Sequence, residues 1–315
     1  MKDAVLARLE RHFPGETLTT ERASAGHRRV LFIRSSGKPR AVVKFFRGPL
    51  NLCRYVGALK LFQREGLSAP RLLFADYGPR TRLSCGGFVL AQEWIVGPSL
   101  AEVISNEHAA AAAGRALAAV HQLRRRHPGR LGWLWWPRYG LGWLRKEFRW
   151  QMNLLQAVIP EVARRRVDIV AWLLKGFSEY PWDRPHCLCH MDPNPHNILI
   201  RNFESTPQAV FIDLATVRYY PPFYDLCRLN DHLERESTAS ASRFLEAYFD
   251  GGSPLDRQEW RRMERYYRAA FYLHNAAKRA GRSRDSKRAG RHQQYLEETR
   301  YLAGRLLETA DPSSL

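Results

Sequence analysis

Long apolar runs are missing from this 315-residue chain. No stretch approaches the roughly 18 consecutive apolar residues that a spanning helix needs, which excludes a transmembrane helix. The opening MKDAVLARLERHF lacks the apolar core of a secretory signal and reads as a short amphipathic helix, so the expectation is a cytoplasmic protein. Cysteine is scarce and odd in number: Cys53, Cys85, Cys187, Cys189 and Cys227 form no regular framework. That excludes a disulfide-stapled scaffold and predicts free thiols. Acidic residues are short as well, 31 Asp and Glu against 50 Lys and Arg, a formal charge of +19. Such an excess attracts nucleic acid, an anionic membrane surface or a phosphorylated glycolipid. An Arg-rich composition also follows from GC-rich coding, so charge alone selects no partner. No internal repeat is present. With 45% hydrophobic residues the chain is globular, and it is long enough for two lobes with their own cores.

The stretch from Cys189 to Leu214, CHMDPNPHNILIRNFESTPQAVFIDL, organises the rest. Its apolar runs, Asn197 to Ile200 and Ala209 to Ile212, are short and β-branched and predict two strands joined by a polar turn. Phosphoryl transfer needs an acceptor hydroxyl oriented by a carboxylate, and Mg²⁺ held over nucleotide phosphates by an Asp and an Asn. The run His190-x-Asp192-x-x-x-x-Asn197 supplies a candidate base, Asp192, and a metal ligand, Asn197. Phe211-Ile212-Asp213-Leu214 supplies the second ligand, Asp213, from a strand end. The plainer reading makes Asp192 and Asn197 turn residues among prolines and Asp213 a strand cap, and it leaves both halves of the site together by chance. His186, Cys187, Cys189 and His190 do not make a zinc site, because cysteines and histidines alternate across the strand and cannot converge on one tetrahedral ion.

These residues resemble the aminoglycoside phosphotransferase, choline kinase and lipopolysaccharide kinase superfamily, and most of all the bacterial sugar kinases of lipopolysaccharide core assembly. Pro195 matches the usual proline of that loop, while Met191 and Pro193 replace the common Gly and Leu. The resemblance implies an α+β, bilobal, protein-kinase-like fold: a small antiparallel-sheet lobe for nucleotide over residues 1–96, and a larger, mostly helical catalytic and acceptor-binding lobe over 97–315. It also implies ATP and Mg²⁺ as cofactors.

Other segments follow the same order. Thr17 to Ala23 and Arg28 to Arg34 read as strands flanking Ser24-Ala25-Gly26-His27, a turn that either lays backbone N–H groups over phosphates through Gly26 or is an ordinary hairpin. Lys44 lies inside the apolar strand Ala41 to Phe46. A lysine there needs an anion, with nucleotide phosphates as the candidate, or else it is an edge residue reaching solvent. Arg54 to Arg64 has helical spacing, yet the slot where relatives carry a lysine-pairing glutamate falls around Tyr55, with Glu65 at the far end. In relatives the stretch after Phe88 is the hinge, whose backbone at Glu93 and Ile95 would hydrogen-bond adenine. Helices are predicted over Glu107 to Arg126, Glu161 to Tyr180, Ala239 to Phe249, Asp256 to Ala280 and His292 to Leu307, with Asp225 as the N-cap of Leu226 to Leu233. In relatives that aspartate braces the catalytic loop. Arg130 to Trp150, with Trp133, Trp135, Trp136, Trp143 and Trp150 among arginines, is either a membrane-facing surface or a helical insert buried against the large lobe.

The function expected from these readings is ATP- and Mg²⁺-dependent phosphorylation of a sugar hydroxyl, with a small-molecule or glycolipid acceptor and peripheral contact with an anionic membrane. Nucleic acid is not an expected partner. Two alternatives stay open: an aminoglycoside or choline-type kinase, and a pseudokinase or nucleic-acid-binding adaptor.

Overall fold

Alternating burial along the strands organises the first third of the chain. The computed structural model describes residues 2–22, 30–79, 82, 86–127, 129–130, 141–180, 182, 184–283 and 292–310. Strands β1 (Leu18–Arg22), β2 (Val30–Ser35), β3 (Lys38–Phe46), β4 (Leu72–Asp76) and β5 (Phe88–Glu93) form one antiparallel sheet in the order β1-β2-β3-β5-β4. Successive side chains of a strand point to opposite faces. Ala41, Val43, Val89 and Ala91 therefore share one face, where they pack with Val5 and Leu9 of α1 (Lys2–Leu9). Lys44, paired in register with Val30 and Leu90, turns to the other face along with Val42, Phe32 and Gln92. A one-residue slip would drive Lys44 into the apolar layer, so this register is strongly specified. Across the second face lies α2 (Pro49–Arg64), whose Leu52, Tyr55, Val56, Leu59 and Phe62 recur at helical spacing and are all buried.

Beyond β5 the backbone passes through Gly97, φ 146, where a Cβ would lie 2.0 Å from the Ile200 carbonyl oxygen. Only glycine permits that approach. Leu100 N–H then donates to the Ile198 carbonyl (2.7 Å) and Ile200 N–H to that of Pro98 (2.8 Å), which ties this segment to the hairpin described next.

The second part is mainly helical around two small sheets. The short strands β6 (Arg124–Arg125), β7 (Gly129–Arg130), β8 (His186–Cys189) and β11 (Arg218–Tyr220) are ordered β6-β8-β11-β7, while β9 (Ile198–Arg201) and β10 (Gln208–Phe211) form the hairpin that the two apolar runs predict. The helices are α3 (Glu107–Gln122), α4 (Leu141–Gln156), α5 (Pro160–Arg164), α6 (Arg166–Ser178), α7 (Phe223–Glu236), α8 (Thr238–Asp250), α9 (Arg257–Ser283) and α10 (His292–Thr309). Among the described residues no helix is long and apolar enough to cross a membrane.

Several boundaries differ from the sequence reading; α2 starts at Pro49 rather than Arg54. α3, capped by Asn106 Oδ1 on Ala109 N–H (2.9 Å), stops at Gln122 because Arg124 and Arg125 pair with β8. The helix expected over residues 161–180 is two, interrupted at Arg165 (φ −101, ψ 8). α7 begins at Phe223 with Pro222 before it, so Asp225 lies in the first turn rather than at the N-cap. The tryptophan-rich segment also divides. Trp143 packs against Cys187, Cys189, Met191 and Tyr220, Trp150 is 56% exposed, and Trp133, Trp135, Trp136 and Arg138 lie outside the described residues.

Candidate active site

The loop between β8 and β9 is held by buried hydrogen bonds that leave its polar side chains little freedom. His190 is 1% exposed; its Nε2 donates to the Ile212 carbonyl (2.8 Å) and its Nδ1 accepts the Asp192 N–H (3.2 Å), which sets the tautomer. Beneath the loop, Asp225 accepts the His190 N–H on Oδ2 (2.6 Å) and the Met191 N–H on Oδ1 (2.9 Å). That carboxylate is fully buried, and His121 Nε2 lies 3.4 Å from its Oδ2 while His121 Nδ1 meets Tyr248 Oη at 2.8 Å. Met191 takes a left-handed φ of 68, the conformation that suits the glycine common at this point of the motif.

Asp192 and Asn197 are joined through the backbone, because Asn197 Nδ2 donates to the Asp192 carbonyl (2.9 Å). The amide oxygen of Asn197 is thereby left as the side chain's remaining donor toward a metal. Asn194 Nδ2 donates to Asp192 Oδ1 (3.2 Å), and Arg228 forms an ion pair with the same oxygen. Ile212 N–H donates to the Asn197 carbonyl (2.9 Å), which sets Asp213 beside Asn197 at the end of the hairpin. Asp213 is also left-handed, φ 59, and its carboxylate is 53% exposed. Asn197 and Asp213 together offer hard oxygen donors, the set that Mg²⁺ takes alongside phosphate oxygens, so these residues fit that ion.

Opposite them stands Lys44. Its ammonium donates to Tyr55 Oη (2.8 Å) and lies 3.6 Å from Asp213 Oδ1, with the Tyr55 ring centroid 4.7 Å away. Burial alone would push the Lys44 pKa down; the Tyr55 phenol and the Asp213 carboxylate outweigh it, and the net shift is upward. Lys44 therefore stays charged. In the helix slot where relatives carry a glutamate, this chain sets a phenol, and Asp213 provides the anion.

Lys44, Glu93, Ile95, Asn197 and Asp213 all line one cleft of about 1330 Å³. Glu93 N–H is committed to the Arg71 carbonyl (2.8 Å), and its carboxylate holds Arg201 (2.9 Å). Asp192 reaches the wall of the cleft through its pairing with Arg228, which lines it. Gly26 lies outside the described residues.

Residues 19–266 match the model of the phosphotransferase enzyme family known as APH. The chain belongs to that family. It shares its fold with the choline/ethanolamine kinase family protein from Mesorhizobium loti (17% identity, 98% of each chain, TM-score 0.63). The macrolide 2'-phosphotransferase from Brachybacterium faecium is equally similar (18% identity, 94% of this chain and 98% of that one, TM-score 0.63). A spectinomycin phosphotransferase solved with ADP and spectinomycin also superposes (14% identity, 98% of each chain, TM-score 0.60). No curated protein matches the chain. The fold is the bilobal, protein-kinase-like arrangement of a five-stranded antiparallel sheet and a mainly helical second part.

Within this phosphotransferase Cys187, Cys189 and Cys227 are buried and structural. Burial pushes the Cys187 thiol up to about 12 and raises the Cys189 thiol well above its ordinary value, so neither offers a thiolate to a metal at neutral pH. Cys189 lies close to His121 and Asp225, but that histidine and carboxylate are already occupied in holding the loop and Tyr248. The four described cysteines are free thiols. Sequence reasoning located Tyr55 only as an unfilled glutamate slot, and it missed Arg228, which carries no local motif signal.

Proposed function

We propose that this phosphotransferase moves the γ-phosphoryl group of ATP to a sugar hydroxyl, in an acceptor of the lipopolysaccharide core type. One observation supports the chemistry above the others: the two oxygen donors Asn197 and Asp213 and the charged Lys44 line a single cleft, and the loop aspartate is ion-paired to Arg228 on its wall. In this reading Asp192 is the base that orients the acceptor hydroxyl and accepts its proton. Lys44 and the turn at Gly26 hold the nucleotide phosphates, and the backbone at Glu93 and Ile95 holds adenine. Asn197 and Asp213 hold Mg²⁺, which when bound neutralises charge on the phosphates. Residues 1–96 serve the nucleotide and 97–315 serve catalysis and the acceptor. ADP, present in the solved spectinomycin phosphotransferase, is the matching product here.

The sign of the charge favours an acidic acceptor. A formal +19 repels the polycations that antibiotic kinases accept and steers phosphorylated or carboxylated glycans. α4 presents Arg145, Lys146, Arg149 and Trp150 to solvent, a combination that suits headgroups at the inner face of a membrane. The test is phosphoryl transfer by the purified protein, with labelled ATP and Mg²⁺, to core oligosaccharide and to kanamycin and choline. Transfer to the oligosaccharide that is lost in Asp192→Asn supports the reading. Efficient phosphorylation of kanamycin or choline instead would replace it with the antibiotic or choline-type alternative.

A further inference from the structure

Arg228 has no part in the mechanism above, yet it touches the residue at its centre. It sits on α7, one turn beyond Asp225, so the helix that braces the loop also brings a guanidinium to Asp192. The side chain is 14% exposed, and it stacks over the Phe271 ring with its carbon 5.7 Å from the centroid. A guanidinium carries five N–H donors in a planar fork. Asp192 takes one edge of that fork, the Tyr224 phenol is a second side-chain partner, and the buried Nε has none. A buried donor without a partner is costly unless something else satisfies it.

The surroundings name the sign of that partner. On the stretch of the cleft formed by α7 and α9, Arg228 is joined by His232, Arg235 and Arg279, with Asn275 between them. Arg235 is paired with Asp231 and Arg279 with Glu298 (2.6 Å). Lys278, beside Arg279, makes no ion pair among the described residues. Burial and then neighbouring cations, Arg235 and Arg228 for His232 and Arg282 and Arg228 for Lys278, push the pKa of both groups down. Beyond burial, the cations' part of each shift disfavours another positive charge, while Asp192 acts the other way on Lys278. Of the carboxylates here, Asp192, Asp231 and Glu298 are each already bound to an arginine, and Glu236 at the end of α7 is the further one that lines this stretch.

We propose that Arg228 is a specificity-determining residue that binds an anionic group, phosphate or carboxylate, carried by the acceptor close to the hydroxyl that becomes phosphorylated. The proposal rests on the phosphotransfer reading and deepens it. An anion on the fork fills the unused donors and draws the guanidinium from Asp192, so the base is released when a correct acceptor arrives. A cationic acceptor meets a fixed positive charge at the same place. The acceptor is then already acidic, the product of a reaction that installs a phosphate or an acidic sugar before this enzyme acts.

The test is equilibrium binding to the full chain, saturated with Mg²⁺ and the non-hydrolysable imido analogue of ATP so that the nucleotide site is filled. Glucose, glucose 1-phosphate and glucuronate are compared by titration calorimetry or ligand-observed NMR. The wild type is expected to bind one or both anionic sugars about 10-fold or more tightly than glucose, the factor expected of charge-assisted hydrogen bonds. Arg228→Gln should reduce that preference to none, and Arg228→Lys, which keeps the charge but loses the fork, should restore part of it. Thermal melting shows that each variant is folded, and if Arg228→Gln fails to fold, the Arg228→Lys comparison decides. Equal affinities for the three sugars in the wild type, or a preference that survives in Arg228→Gln, would overturn the proposal. Phosphoryl transfer from ATP to the same sugars separates the two ideas. An Arg228-dependent preference without transfer leaves the anion site standing and sinks the sugar-kinase reading, and transfer without preference does the reverse.

Discussion

At the scale of single residues, the phenol of Tyr55 shows how one substitution redistributes the work of a site. A glutamate in its slot would pair directly with Lys44; the phenol instead donates position but no charge, so Lys44 leans on Asp213 as its anion. Tyr55→Phe removes a hydrogen bond to a charged group, worth about 1.5–3 kcal/mol, and lets the ammonium settle on Asp213 alone. Steady-state kinetics should show kcat/KM falling by about 10-fold or more, the rate equivalent of that loss. Unchanged kinetics would mean that the phenol does not position the lysine. Met191 poses a contest between backbone and packing. Glycine would relieve about 1–2 kcal/mol of left-handed strain, but it would strip a side chain only 9% exposed from the cluster with Trp143, Cys189 and Tyr220. Removing a buried methionine side chain costs about 2–5 kcal/mol, so packing wins. Urea unfolding should find Met191→Gly less stable than the wild type; a more stable variant would show that strain dominates.

Elements meet here through backbones as much as through side chains. α3 is rich in alanine, and at Gly114 it comes so near α8 that an added Cβ would lie 2.3 Å from the Phe244 carbonyl oxygen. Alanine favours a helix over glycine by about 1 kcal/mol. A clash with a backbone atom cannot be relieved by a rotamer change, and forcing the helices apart costs about 1–3 kcal/mol or more. Gly114→Ala is therefore expected to lower the free energy of unfolding by about 2 kcal/mol once the clash outweighs propensity. A raised urea midpoint would show that α3 and α8 have room to move apart. The same logic of close approach governs Asp225. Its place in the first turn of α7 lets one carboxylate hold two consecutive N–H groups of the loop, a geometry that an N-cap would not allow.

Across the whole molecule, buried histidines make stability depend on pH. His186, His232 and His274 are each pushed down to about 4, in each case chiefly by burial. Their unfolded pKa is about 6.5, so between those values the unfolded chain binds protons that the folded chain does not. Stability then falls as pH drops from 7 through 6.5 toward 4, and levels off below. His186 has no exposed surface and is surrounded by the rings of Tyr180 and Trp182. Between pH 7 and 5.5, where carboxylates remain ionised, its share is about 1 kcal/mol. Urea midpoints measured over that interval should decline in the wild type and decline less in His186→Phe. An equal decline in both would place the titration elsewhere.

The sequence by itself determined the family, the fold class and the motif, because each is encoded by short-range pattern. The spacing from His190 to Asn197 and the strand pair ending at Asp213 are dictated by local backbone geometry, and the alternation around Lys44 fixes which face of its strand is apolar. Helix ends were less legible where tertiary pairing overrides propensity, as at Arg124 and Arg125 and at the start of α7. Only the tertiary structure decided what the site residues touch. Tyr55 meets Lys44, Asp225 meets the loop from about a tenth of the chain away, and Arg228 closes on Asp192 through a helix whose own periodicity shows only that one side faces inward. One side of the cleft is lined from α7, α9 and α10, and its charged residues belong to no single segment. A periodic pattern reports that a face is buried, but the partner of that face depends on how every other element packs, and that information is spread over the whole chain.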